Sequence, residues 1–275
     1  MSKTWLITGA SSGLGLEMTQ QLLGRGDRVA ATVRRPQSLE ALRAQHGERL
    51  SIFTLDLSER DAITRVVDAA FDRLGRIDVV VSNAGYGLVG AAEELEDAQI
   101  EAQLTVNLTG SIRLIRAVLP HLRAQKGGRI MQVSSEGGQI AYPNFSLYHA
   151  SKWGIEGFVE ATAQEVVPFG IDFIIAEPGP TATNFGTGLI EAKPIADYDA
   201  TPARNVRNAI RDGAFPIKGD AIRTVAAMIA AADSEQPPFR LPLGSQAYNS
   251  ITTTLAKRLA EIESQRETAF SADRD

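Results

Sequence analysis

The chain contains no cysteine, which excludes disulfides, thiolate nucleophiles and every cysteine-ligated zinc or iron–sulfur site. That absence fits a reducing compartment. Histidine is nearly as scarce: His46, His121 and His149 are the only three, too few and too scattered for a metal site or a serine–histidine triad. No metal is expected. Long apolar runs are missing as well. Even the alanine-rich stretch from Ala221 to Ala232 is interrupted by Arg223 and Thr224, whereas a membrane span needs about 18 or more apolar residues in succession. The opening residues pass straight into the strand-like Trp5-Leu6-Ile7, without the charged and apolar regions of a signal peptide. A cytoplasmic protein with no membrane span is the expectation. Excess positive charge is also absent. The 28 Lys+Arg against 33 Asp+Glu leave a net charge of −5, so the bulk attraction toward nucleic acid or an anionic membrane is lacking. No nucleic-acid partner is expected.

What is present has the balance of a packed protein: 44% hydrophobic and 22% charged residues in a chain of 275. At roughly 150 residues per domain, this length allows one large domain or two small ones. Short β-branched runs alternate with longer segments of helical period, the pattern of parallel strands joined by crossover helices. Predicted strands run from Thr4 to Thr8, Arg28 to Val33, Leu50 to Leu55, Ile77 to Val81, Arg129 to Val133 and Asp172 to Ala176. Several are apolar throughout, as strands covered on both faces are. Leu14, Met18 and Leu22 recur every four residues before Gly24 and Gly26 end a first helix. Further helices are predicted over Ser58 to Leu74, Asp97 to Gln125 and Ser146 to Pro168. Neither an internal repeat nor a low-complexity linker divides the chain. Past Thr183 the pattern changes: Asn184 to Gly219 holds no strong strand and mixes glycines, prolines and short helical patches, as a loop or lid over a site does. The tail, Thr253 to Asp275, reads as a polar helix with a frayed end.

Directly after the first strand comes Thr8-Gly9-Ala10-Ser11-Ser12-Gly13-Leu14-Gly15, leading into a helix. Glycines there permit a tight turn and close backbone approach, and the helix N-terminus offers unpaired amides and a positive dipole end to a pyrophosphate. Alone, such a turn serves packing equally well. Its spacing, Gly-x3-Gly-x-Gly, resembles the short-chain dehydrogenase/reductase family, and further motifs follow in that family's order. They are Asp56-Leu57, Ser82-Asn83-Ala84-Gly85, Asn107, Ser135, Tyr148-x3-Lys152 and Pro178-Gly179. The resemblance covers most of the chain. It implies an α/β fold of Rossmann type: one domain, 1–275, built on a doubly wound parallel sheet of about seven strands flanked by helices, with the last strand near Arg240 to Leu243. Within it, 1–183 would form the cofactor and catalytic core, 184–220 the substrate lid, and 221–275 the C-terminal helices and short strand. Helices carrying Asn107 and Tyr148 commonly assemble this family, which implies a homodimer or homotetramer.

The resemblance assigns cofactor contacts to Gly9, Ser11, Ser12, Gly13, Leu14 and Gly15 in the turn, and to Asn83, Ala84 and Gly85 at the next strand end. Asp56 and Leu57 would border the adenine. Pro178, Gly179, Thr181 and Thr183 would hold the carboxamide, although Pro180 stands where a β-branched residue is usual. NAD-binding sites place an acidic residue at the end of the second strand, where its charge repels a 2′-phosphate. Here that strand ends Thr32-Val33-Arg34-Arg35, and a guanidinium holds a phosphate bidentately. Arg34, with Arg35 and the Ser12 hydroxyl, therefore points to NADP(H) in preference to NAD(H).

Tyr148 and Lys152 are four residues apart and share one helix face. A neighbouring ammonium and an oxidised nicotinamide favour phenolate, lowering the pKa of a tyrosine that is otherwise near 10. By resemblance Tyr148 exchanges the proton with the carbonyl or alcohol oxygen, Ser135 hydrogen-bonds the same oxygen, and Lys152 also grips the nicotinamide ribose. Asn107 would hold a water linking Lys152 to solvent. Ser134 competes with Ser135, but the spacing of thirteen residues from Ser135 to Tyr148 suits the family better than fourteen from Ser134. Ser135, Gly137, Tyr142, Phe145, Tyr148 and Phe185 are the expected substrate contacts, an apolar set suited to a lipophilic ketone, aldehyde or secondary alcohol, as in steroid, retinoid or ketone-reducing members. His149 is expected to face a neighbouring element, Glu93, Glu94 and Glu96 to be a solvated helix start, and Glu136 to be a surface carboxylate that could otherwise bias the pocket against anions. The alternative is a noncatalytic NADP-binding sensor or scaffold, which loss of Tyr148 or Lys152 would mark; both are present. Epimerases and dehydratases of the extended branch carry a larger C-terminal domain than the residues after Thr183 allow.

Overall fold

The structure, a computed structural model, describes residues 2–274. Met1 and Asp275, where the predicted domain begins and ends, lie outside the described residues. Its strands are β1 (Thr4–Thr8), β2 (Arg28–Val33), β3 (Leu50–Thr54), β4 (Val79–Ser82), β5 (Leu88–Val89), β6 (Gly128–Val133), β7 (Ile171–Pro178), β8 (Ile190–Glu191) and β9 (Arg240–Leu243). The helices are α1 (Gly13–Gly24), α2 (Glu40–His46), α3 (Arg60–Leu74), α4 (Asp97–Leu104), α5 (Ser111–Ala124), α6 (Ser146–Val166), α7 (Asn184–Thr187), α8 (Pro202–Arg211), α9 (Ala221–Asp233), α10 (Ser245–Ser264) and α11 (Arg266–Phe270). Seven strands form one sheet in the order β3-β2-β1-β4-β6-β7-β9, parallel at every pairing. The Rossmann-type α/β fold read from the sequence is the fold observed.

Alternation along each strand sends successive side chains to opposite faces, and here both faces are covered. Trp5, Ile7, Ala31, Val81, Met131 and Ile174 pack with Met18 and Leu22 of α1 and Val225 and Met228 of α9. Leu6, Ala30, Val80, Ile130 and Ile175 face the other way, onto α3, α5 and α6 through Val67, Leu114, Val118, Ile155 and Val159. This explains the unbroken apolar strands.

Several elements differ in extent or kind from the sequence reading. The predicted helix over Asp97 to Gln125 is interrupted by a π-helical turn, Thr105–Gly110, because the Asn107 side chain pairs with the Tyr86 backbone as acceptor from its amide (3.1 Å) and donor to its carbonyl (2.8 Å). The segment read as holding no strong strand contributes the two-residue β8, which pairs in parallel with β5. The C-terminal helix starts at Ser245 rather than Thr253. No helix of the described residues is long and apolar enough to cross a membrane. Strand order reverses between β1 and β4, so the crevice beyond their C-terminal ends is where a ligand binds in folds of this kind.

Candidate active site

The turn from β1 into α1 occupies that crevice. Gly9 adopts φ +68°, and a Cβ on it would lie 2.9 Å from the Ala84 Cα. At Gly15 a Cβ would fall 2.4 Å from the Gly9 carbonyl oxygen. Side chains are thus excluded on both sides of the turn, which is braced by the Asn83 Nδ2 donating to the Thr8 carbonyl at 2.9 Å. Ser12, the N-cap of α1, makes no side-chain cap, leaving the first amides of the helix directed at the crevice. Arg34 lies at the rim beyond β2, near enough to Asp56 to help hold its carboxyl below the usual range; the Ser58 amide is the larger cause and burial opposes it. The Oδ1 atom of Asp56 accepts from the Ser58 amide (2.9 Å) and hydroxyl (2.7 Å).

Deeper in the same cavity, β6 ends at Ser134-Ser135 and α6 presents Tyr148 and Lys152 one turn apart. Ser135 caps a short helical turn, its Oγ accepting from the Gly137 amide at 3.1 Å, which leaves the hydroxyl proton free to donate. Ser134 is committed elsewhere: it donates to Glu156 Oε1 at 2.5 Å. Burial pushes Tyr148 up to about 12, against the effect of the adjacent Ser135 hydroxyl and with added negative charge from Glu136. Lys152 Nζ donates to the Val133 carbonyl at 3.0 Å and lies 5.6 Å from the Tyr148 ring centroid. Burial draws Lys152 down to about 8, with Glu156 opposing. Desolvation is the largest influence on both groups.

A family model described as short chain dehydrogenase matches residues 3–194. The chain belongs to the short-chain dehydrogenase family. Oxidoreductase BOA17 of Botryotinia fuckeliana is 34% identical over 274 residues, covering 99% of this chain and 100% of the relative. Human retinol dehydrogenase 8 is 31% identical over 266 residues, 91% of this chain and 84% of the relative. Among solved structures, a short-chain dehydrogenase from Streptomyces avermitilis superposes with a TM-score of 0.92 at 35% identity, covering 99% of this chain and 98% of that one. A short-chain dehydrogenase from Burkholderia cenocepacia, in complex with NADP, superposes at 0.75 with 26% identity, covering 94% and 95%.

In this short-chain dehydrogenase the cavity measures about 1000 Å³ and runs from Arg34 past the glycine turn to Tyr148 and the segment from Asn184 to Ile190. Most of the predicted site residues line it; Gly15, Arg35, Asn107 and Gly137 do not. Gly15 lies behind the turn it permits, Arg35 is an exposed residue at the start of the helical turn Pro36–Leu39, and Asn107 sits behind the wall on Tyr86. The Gly137 carbonyl faces His149 Nδ1 at 2.9 Å. His149 Nε2 accepts from the Tyr142 amide at 3.0 Å, so the ring bridges backbone groups and faces a neighbouring element, as expected. Phe185 of α7 packs on Tyr148 with ring centroids 5.9 Å apart, and the chain before α7 meets the chain before α9 where the Ala182 amide donates to the Gly219 carbonyl at 2.9 Å.

Two carboxylates contradict the sequence reading. Glu136, expected at the surface, is 1% exposed, because its loop folds inward beneath Tyr142 and α10. Glu94, expected in a solvated helix start, is buried against Arg207 of α8, Oε2 to Nη2 at 2.5 Å. Burial acts to raise Glu94, but Arg207 and the Ile195 and Ala91 amides outweigh it and hold the carboxyl below its usual range. Sequence reasoning also missed a cluster behind Lys152 in which Arg240 Nη1 reaches Glu156 and Glu177, each at 2.5 Å. The one available signal was Glu177 itself, an acidic residue directly after the apolar run Phe173-Ile174-Ile175-Ala176.

Proposed function

We propose that this chain is an NADP(H)-dependent carbonyl reductase or alcohol dehydrogenase acting on lipophilic ketones, aldehydes or secondary alcohols, with Tyr148 as its general acid and base. The observation that carries this reading is the buried Tyr148 phenol beside Ser135, in one cavity with the glycine turn and Arg34. The crevice suits a dinucleotide: Gly9 and Gly15 admit no side chain, and the uncapped α1 amides suit a pyrophosphate. When bound, the nicotinamide supplies or accepts hydride. Arg34 would hold the 2′-phosphate, since no acidic residue stands at that strand end to repel it.

At a pKa of about 12 Tyr148 keeps its proton at neutral pH, the form that carbonyl reduction requires. In that direction Tyr148 donates the proton to the carbonyl oxygen while Ser135 stabilises the developing negative charge. In alcohol oxidation Tyr148 takes the proton back. Lys152, released from the Val133 carbonyl, would hold the ribose hydroxyls and favour phenolate.

The test is consumption of NADPH with a panel of lipophilic ketones. Wild type turns substrate over, and Tyr148→Phe loses about 10²-fold or more in kcat/KM; undiminished turnover by that variant overturns the acid–base assignment. NADPH binding without turnover of any ketone supports the sensor alternative. Arg34→Asp should favour NADH over NADPH, and an unchanged preference overturns the cofactor reading.

A further inference from the structure

The carboxylates buried in this molecule are not handled alike. Glu94 is paired with Arg207, and Glu156 and Glu177 share Arg240. Glu136 receives two hydroxyls instead: the Tyr142 phenol donates to Oε1, and Ser250 Oγ of α10 lies 2.7 Å from Oε2. Among the described residues it forms no ion pair. Hydroxyl partners solvate a charge locally but do not cancel it, so its field persists in a low-dielectric wall. That wall is the substrate end of the cavity, which Glu136 lines together with Ser135, Tyr142, Phe145 and Tyr148. His149, packed against this loop, bridges Gly137 and Tyr142, and the Lys152 ammonium on the same cavity is turned to the Val133 carbonyl. Burial draws the pKa of His149 down, so that ring supplies no compensating charge at neutral pH.

We propose that Glu136 is a selectivity residue for the reaction assigned above: a fixed negative charge beside the reacting carbonyl that turns away substrates bearing a carboxylate or phosphate and admits neutral or cationic lipophilic carbonyls. The cofactor's phosphates are spared because their site, between α1 and Arg34, lies at the other end of the cavity. Tyr142 and Ser250 are the positioning residues, and through Ser250 the C-terminal helix α10 reaches the substrate wall.

At separations of about 6–8 Å and an effective dielectric of about 20, repulsion of an anion corresponds to roughly tenfold or more in affinity. The proposal rests on the reading of this cavity as a substrate pocket, so the experiment measures binding rather than turnover. A naphthyl carboxylate and the matching naphthyl carboxamide are titrated calorimetrically into protein saturated with NADP⁺. Wild type binds the carboxamide about tenfold or more tightly than the carboxylate, and Glu136→Gln, which removes charge but keeps hydrogen-bonding capacity, erases the difference. Tyr142→Phe removes one hydroxyl partner but not the charge, and retains the preference. Equal affinities in wild type overturn the proposal whatever the variants do, as does a preference that Glu136→Gln leaves unchanged. Failure of NADPH turnover leaves these affinities readable, so loss of the catalytic reading and loss of this one are separate results.

Discussion

Glu177, next to last in β7, has no exposed surface. Burial, then the charge of Glu156, lifts its carboxyl to about 7 from an ordinary 4.5, with Arg240 and Gln139 working against the rise. The folded state therefore holds a proton that the unfolded chain has released. Its contribution to stability is complete below about pH 4.5 and is lost as pH climbs through about 7. Urea denaturation across that window should show stability falling by on the order of 1–3 kcal/mol, and Glu177→Gln should flatten the fall; an unaltered slope would assign it to other groups. Residues of this kind are the ones least legible in the sequence. Glu136 and Ser250 are 114 positions apart, Glu94 and Arg207 are 113 apart, and Glu177 and Arg240 are 63 apart. Whether such a carboxylate is buried depends on which distant partner arrives, and local polarity carries no trace of that. Tyr148, Lys152 and Ser135, which the family resemblance singled out, line one cavity because a helix face and a strand end bring them there.

Among elements, several strands of the seven-stranded sheet were readable because they are covered on both faces and largely apolar, as β1 and β4 are. The π-helical turn at Asn107 was not, since a side chain gripping the Tyr86 backbone imposes it, and no propensity of Thr105–Gly110 does. How segment 184–219 is fastened was not visible in composition: β8 pairs with β5, α8 packs Val206 and Ile210 against Val89, Phe145 and Tyr148, and Arg207 ties α8 to Glu94. Removing one member of a buried pair costs about 3–5 kcal/mol because its partner stays charged and unmatched. Arg207→Met should therefore loosen 184–219 while leaving the sheet intact. The expected signs are faster proteolysis within that segment and a KM raised about tenfold with kcat much less affected. Equal loss of both with unaltered proteolysis would place Arg207 in the chemistry instead.

At the scale of the whole molecule, the family motifs were readable because their order along the chain follows the order in which β1, β2, β3, β4, β6 and β7 bring their C-terminal ends to one crevice. Domain organisation is a separate matter, and we propose that residues beyond 220 complete the cofactor-binding body. β9 extends the sheet from β7, α9 packs on α1, and Asp233 pairs with Lys3 (2.7 Å) and Arg25 (2.5 Å) from the first strand and helix region. Val225, Met228, Ile229 and Leu243 are each less than one-tenth exposed. At about 1.5–3 kcal/mol per buried side chain of this size, these four alone match a typical domain stability of about 5–15 kcal/mol. A fragment of residues 1–220 would uncover Met18, Leu22 and the β7 edge together. It should be insoluble, or lack a cooperative unfolding transition, and should not retain NADPH. A soluble 1–220 fragment that binds NADPH and unfolds cooperatively would instead establish the C-terminal segment as a separable unit, because the apolar face of α1 would then be stable without α9 upon it.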